Sequence, residues 1–400
     1  MRVRTIALPL FCGLALAAVA GARPATAQTI KIGVINTYSG SEADAGAQID
    51  KGLSLYLKEH EKDLPPGVHV ELIRRDDGGP HPDVAKRLAQ ELVTRDHVQF
   101  LTGVVWTPNA AAIAAIATEA KVPFVITNAA GSSITRMSPY VARVSFTIWQ
   151  QAYPLGKWQA QQGSKRAYIA VSDYAPGHDG EAAFTKGFTE GGGKIIGSVS
   201  FPPTTLDFIP YLQRVKLAKP DVLYIFTPAG RPSTAIMRTI TDLNLRAEGV
   251  KIVATQDLVP EDELPNMGDS PMGLVTAGTW SLVAKRPSNQ AFLEAWRRAY
   301  GNAIPNFIAV DSWDGMAAIL DVIEETKGHF TGEQAMAILK GWKDANSPRG
   351  PIMIDPATRD IVQNVYIRRV EKVDGKLANV EFQTIPQVKD PWKELNPAQK

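Results

Sequence analysis

Short, almost continuously apolar runs alternate along this chain with longer stretches in which apolar residues recur every three or four positions. Lys31–Asn36 (KIGVIN) has the pattern of a strand covered on both faces, as in a parallel sheet. Ser41-Glu42-Ala43-Asp44 follows with capping-box spacing and predicts a helix to about Glu59. A second strand, VHVELIRRDD at 68–77, runs through Gly78-Gly79-Pro80 into a helix carrying Val84, Leu88 and Leu92 on one face. Phe100-Leu101 ends a third strand, an alanine-rich helix starts at Pro108, and Val122–Ile126 is a fourth strand.

The alternation breaks near Phe146–Trp149 and then restarts. Strands are expected at 167–172, 195–201, 222–226 and 250–254. The helices between them carry Phe184 and Phe188, then Ile209, Leu212 and Val215, then Ile236, Ile240 and Leu243, the first starting near Asp179. Two runs of βα units predict an α/β fold of two open parallel sheets, each covered by helices. Helices at 288–300 and 311–325 join one of these sheets, and PIMID (351–355) and NVYIRRV (364–370) read as a hairpin-like finish. Gly191-Gly192-Gly193 follows a helix and precedes a strand, so it is a helix stop and not a dinucleotide-binding turn.

Composition adds few constraints. The 400 residues are 44% hydrophobic and 21% charged, which fits a folded chain of two domains. Arg2 and Arg4, the apolar stretch Ile6–Ala20 and Ala25-Thr26-Ala27 have the order of a secretory signal peptide, cleaved before Gln28. A periplasmic protein is therefore expected, and Cys12, the sole cysteine, is removed with the leader. Losing Arg2, Arg4 and Arg23 leaves 40 of the 43 basic side chains against 41 acidic ones, a net charge of −1 with no basic footprint for nucleic acid.

Catalytic and metal motifs are absent: there is no G-x-S-x-G elbow, P-loop or H-E-x-x-H, and the six histidines lack metal spacing. No cofactor is expected. His178, beside Asp179 at a strand-to-helix loop, is the one histidine placed to touch a ligand. The stronger signal is the stretch VITNAAGSSITR (125–136). It is a strand end followed by small and hydroxylated residues, at the edge of a parallel sheet where ligands bind. Trp106-Thr107-Pro108 does the same in the preceding unit. Each is readable as an ordinary helix cap. Two together on adjacent strands point to an anion site built from backbone N–H groups and hydroxyls.

The blocks KIGVINTYSG, DDGGPHPDVAKRLAQELV, VPFVITNAAGSSITR and YIAVSDYAPGHDGEAAF, in this order, resemble the periplasmic solute-binding proteins of branched-chain amino-acid ABC transporters. The resemblance implies two Rossmann-like lobes joined by three crossovers near 146–149, 274–282 and 345–350. Lobe 1 would be 28–147 plus 281–346, and lobe 2 would be 148–280 plus 347–400. It also implies a carboxylate site at Thr107 and Ala129, Ala130, Gly131 and Ser132, with Asn128 beside them. Amino-acid binders often place an aromatic where Ala45 stands here. Gly177-His178 stands for a Tyr-Gly loop, and Gln256, with Asp257 next to it, for the acidic partner of a ligand ammonium.

These departures point to a carboxylate with an apolar or aromatic body, stacked by Tyr38, Trp106, Tyr174 or Phe146. Gly230 completes the candidate set, and Asp257 restores the case for an amino acid if it turns into the cleft. The implied partners are that solute and a membrane permease, with a monomeric binding protein. A ligand-sensing subunit for a signalling receptor and a secreted enzyme using His178 and Asp179 are the competing readings.

Overall fold

The apolar run at the start of the expected mature chain becomes β1 (Gln28–Asn36), which pairs in parallel with β2 (Val68–Asp76) on one side and β3 (Phe100–Gly103) on the other. The computed structural model describes residues 28–397, so the expected signal peptide, 1–27, lies outside the described residues. β4 (Phe124–Ile126) and β5 (Val141–Arg143) complete a five-stranded parallel sheet in the order β2-β1-β3-β4-β5. Helices α1 (Ala43–His60), α2 (Pro82–Thr94), α3 (Thr107–Ala120) and α4 (Ile134–Met137) connect its strands. Strand order reverses between β1 and β3, and in such sheets the crevice beyond the strand ends at that reversal is where ligands sit.

The chain then enters a second lobe. This holds α5 (Ile148–Gln161), β6 (Arg166–Ser172), α6 (Ala175–Glu190), β7 (Lys194–Phe201), α7 (Ile209–Ala218), β8 (Val222–Phe226), α8 (Arg231–Asp242), β9 (Lys251–Thr255) and β10 (Val275–Gly278). Its parallel strands repeat the first order as β7-β6-β8-β9-β10.

After β10 the chain returns to lobe 1 with α9 (Pro287–Tyr300), α10 (Phe307–Glu325) and α11 (Gly332–Leu339). α10 packs along α1 so closely that a Cβ on Gly52 would lie 2.2 Å from the Ala309 carbonyl oxygen. The third crossing returns to lobe 2 with β11 (Lys343–Asp344), β12 (Ile352–Ile354), β13 (Ile361–Val373) and β14 (Lys376–Val388), ending in α12 (Pro391–Leu395).

Several elements differ from the expectation. The second sheet is mixed, because β13 runs antiparallel to β10 and extends the sheet. The closing hairpin is β13–β14 around Asp374-Gly375, both at positive φ, the two-residue turn that matches strand twist. PIMID supplies only β12, which pairs with the start of β13. α5 was not expected as a helix, yet Thr147 and Gln150 form a reciprocal capping box at its start. The box expected at Ser41–Asp44 does not form: Glu42 occupies the cap position without bonding the backbone. α6 starts at Ala175, not near Asp179. Pro176 suits a first turn, and Gly177 lets the helix backbone lie against Ser172, whose oxygen would be 1.7 Å from a Cβ there.

Candidate functional site

Trp106 keeps an extended backbone at the end of β3, so α3 begins one residue earlier than expected, with Thr107 first and Pro108 second. The loop after β4 folds back onto this helix start. Gly131 donates its N–H to Thr107 Oγ1 at 3.2 Å, and a Cβ at Gly131 would be 2.6 Å from Thr107 Cγ2, so only glycine fits. Arg143, wholly buried, gathers the loop's carbonyls: its guanidinium donates to the oxygens of Gly131 (2.7 Å), Ala129 (3.1 Å) and Phe146 (3.3 Å). The Asp360 carboxylate lies 2.7 Å from the Arg143 Nε and is shared with Lys393.

This arrangement leaves one of the loop's N–H groups, that of Ala130, open. The carbonyls are turned back toward Arg143, while the Ala130 N–H has no protein acceptor among the described residues. The Thr107 hydroxyl accepts from Gly131 and keeps its own proton to donate. Beside them is the N-terminus of α3, with unpaired N–H groups and the positive end of the helix dipole. Donor groups of this kind are chemically suited to a small anion.

The donors open on a narrow cavity of about 30 Å³ between the lobes. Lobe 1 lines it with Glu42, Ala45, Val105, Trp106, Thr107, Asn128, Ala130, Phe146 and Ile308. Lobe 2 lines it with Tyr174, Pro176, Phe226, Pro228, Ala229 and Asp257. Aromatic rings meet across the lobes: Trp106 is edge-on to Tyr174 at 5.9 Å, and Tyr174 lies 6.1 Å from Phe226. The lobes are tied on either side of the cavity. Asp179 Oδ2 accepts the Ser132 N–H at 2.9 Å. Asp262 accepts from Gln48 Nε2 at 2.9 Å and from Asn306 Nδ2 at 3.0 Å.

Two carboxyl groups line the cavity, and burial disfavours the charged form of each. Asp257 is pushed up to about 6 by burial, against the pull of the Thr255 hydroxyl, which donates to it at 2.9 Å, and of Arg368. Glu42 is pushed up to about 8, again chiefly by burial; Asp44 and Glu263 add to the shift, and Ser41 and Arg231 oppose it. The Tyr174 phenol is raised by burial and by the charges of Asp257 and Glu42.

Of the residues singled out in the sequence, Trp106, Thr107, Asn128, Ala130, Phe146, Tyr174 and Asp257 line the cavity. Ala129, Gly131 and Ser132 stand behind its wall: Ala129 donates its N–H to Val104, and the Ser132 N–H is taken by Asp179. Gly230, at φ +100°, faces Glu42, and a Cβ there would meet Glu42 Oε2 at 3.5 Å, an ordinary contact.

Three residues are placed elsewhere. Tyr38 turns away and donates to Asp50, within a surface cluster that includes Arg74. His178 points outward on α6 to Asp173, at 3.1 Å, because the helix begins before it. Gln256 is held inside lobe 2, its Oε1 accepting from the Thr279 N–H (2.8 Å) and hydroxyl (3.2 Å). Glu42 was missed because Ser41–Asp44 read as a helix start; a buried glutamate at a strand-to-helix turn beside the order reversal was its only signal. Phe226, Pro228 and Ala229 were missed because the strand ends of lobe 2 were not read as a wall facing those of lobe 1.

The family model of periplasmic binding proteins matches residues 29–376. The chain belongs to the periplasmic binding protein family. Within it, the chain is a type I solute-binding protein of the ABC-transporter kind, similar to the leucine/isoleucine/valine-binding group. The family implies an extracytoplasmic location. Leu/Ile/Val-binding protein homolog 6 of Brucella melitensis is 38% identical over 391 residues, 97% of this chain and 99% of that protein. A solute-binding protein of an ABC transporter from Rhodopseudomonas palustris BisB5, solved with 3,4-dihydroxybenzoic acid, is 43% identical with a TM-score of 0.87, over 91% of this chain and 99% of that one. Another from R. palustris, solved with 4-hydroxybenzoate, is also 43% identical with a TM-score of 0.87, over 91% and 98%. The leucine-binding protein of Thermotoga maritima is 25% identical with a TM-score of 0.78, over 89% and 99%.

Proposed function

We propose that this protein binds an aromatic carboxylate in the periplasm and delivers it to the membrane permease of an ABC importer. The observation that carries this reading is the cavity itself. Its lobe 1 side presents the Thr107 hydroxyl, the Ala130 N–H and the start of α3, and the rings of Trp106, Phe146, Tyr174 and Phe226 form its walls. The carboxylate meets the donors, and the ring fills the aromatic space. The 43% identical proteins solved with hydroxybenzoates support the same ligand class.

The lobes, 28–147 with 281–346 and 148–280 with 347–400, close about the crossovers as a hinge. Ligand favours the closed form because only that form offers both sets of contacts. The closed protein is the species the permease reads, and transport energy is supplied on the permease side.

A second reading, an α-amino acid, is favoured by one observation: Asp257 does line the cavity, where a carboxylate would pair with an ammonium. Against it, one Asp257 oxygen is already engaged by Thr255, and burial disfavours its charge. Mass spectrometry of small molecules released on denaturing the purified protein separates the two. A benzoate-type acid is expected, and recovery of leucine, isoleucine or valine in its place would overturn the proposal.

A further inference from the structure

Glu42 is 2% exposed, lines the cavity, and its Oε1 has no hydrogen-bond partner among the described residues. It makes no salt bridge there either. A buried carboxyl oxygen without a partner is costly unless something else bonds it. On the opposite lobe Gly230 faces it, in a backbone conformation that favours glycine.

Its position relative to the anion donors follows from the sheet. Glu42 follows β1, Thr107 follows β3 and Ala130 follows β4, and these are neighbours in that order. With strands about 4.8 Å apart, the Glu42 loop lies about 5–10 Å across the sheet from the donors. One benzene ring with polar groups on opposite sides bridges a span of that size. In the other cavity carboxyl, Asp257, Thr255 bonds Oδ2 and leaves Oδ1, whereas Glu42 Oε1 is the cavity carboxyl oxygen that is both fully buried and without a partner among the described residues.

Resting on the aromatic-acid reading, we infer that Glu42 recognises a ring hydroxyl opposite the ligand's carboxylate, so that the protein selects hydroxylated over plain aromatic acids. The acceptor acts as an uncharged carboxyl. An ionised Glu42 would place a second negative charge in a closed cavity with an anionic ligand, and its site holds no paired cation.

The test uses calorimetric titration of the full mature protein with 4-hydroxybenzoate and with 4-methylbenzoate, which has nearly the same shape and no O–H. Wild type is expected to favour the hydroxy acid at least tenfold. Glu42→Leu should reduce that preference to under threefold, whereas Glu42→Gln, which retains a neutral carbonyl acceptor, should keep it within threefold of wild type. Circular dichroism of both variants verifies folding, and a misfolded Leu variant leaves the Gln variant and the wild-type ratio to decide. If wild type binds both acids equally, or the Leu variant keeps the preference, the role of Glu42 is overturned while the aromatic-acid reading stands. If wild type binds neither acid, both fail.

Discussion

The Asp179 carboxylate, on lobe 2, accepts the backbone N–H of Ser132, on lobe 1, at 2.9 Å. It is a charge-assisted bond across the cleft, made beside the cavity without touching its interior. If closure is coupled to binding, losing this bond weakens affinity for every ligand by the same factor. A hydrogen bond to a charged group contributes about 1.5–3 kcal/mol, so Asp179→Ala should weaken binding about ten- to a hundredfold. Calorimetry with two chemically different acids checks this, and unequal losses would mean that Asp179 acts on the ligand instead.

Gly131 and Thr107 set the shape of the proposed anion site. A valine at 131 forces its Cβ toward Thr107 Cγ2, 2.6 Å away, and displaces the donor loop. Gly131→Val is expected to weaken carboxylate binding at least about tenfold while costing about 1–3 kcal/mol of stability, the usual range for overpacking. Paired titration and denaturant unfolding measure the two effects.

Arg143 holds three carbonyls and the Asp360 carboxylate in the interior. Lys393 also pairs with Asp360, so removing Arg143 leaves that carboxylate a partner but takes the donor from three buried carbonyls, at about 1–3 kcal/mol. Arg143→Met should therefore lower the unfolding free energy by that amount in urea. A loss below about 1 kcal/mol would show that the loop does not depend on it.

Binding should depend on pH with a definite sign. A bound carboxylate disfavours ionisation of Glu42, so Glu42 takes up protons more readily in the complex than in the free protein. Affinity is then highest below about pH 8 and falls as pH rises through that value, by at most about tenfold per unit for one proton. Asp257, pushed up to about 6, acts with the same sign at lower pH. The groups facing Glu42 are Ser41 and Asp44 on its own segment, Arg231 at the start of α8 and Glu263 after β9. In Glu42→Gln the fall near pH 8 should vanish; its persistence would assign it to another group.

Much of this fold was legible in the chain. Buried parallel strands such as Lys31–Asn36 and Val222–Phe226 are short and apolar whatever surrounds them, so their pattern survives without tertiary information. The pairing of the loops after β3 and β4 was legible because Thr107 and Gly131 meet through local backbone geometry. Glu42, Phe226 and Asp257 meet only because two lobes fold face to face, and the sequence carries no local mark of that meeting. Tyr38 and Gln256 were misplaced for a different reason: each is captured within its own lobe, by Asp50 12 residues on and by Thr279 23 residues on. The capping box of α5 was written locally, in Thr147 and Gln150, and was available to be read.

The most direct measurement is isothermal titration of the ligand-free mature protein with benzoate, 4-hydroxybenzoate and leucine under identical conditions. One-to-one binding of the aromatic acids, with no heat from leucine, is the predicted result. Saturable leucine binding with no response to either aromatic acid would contradict it.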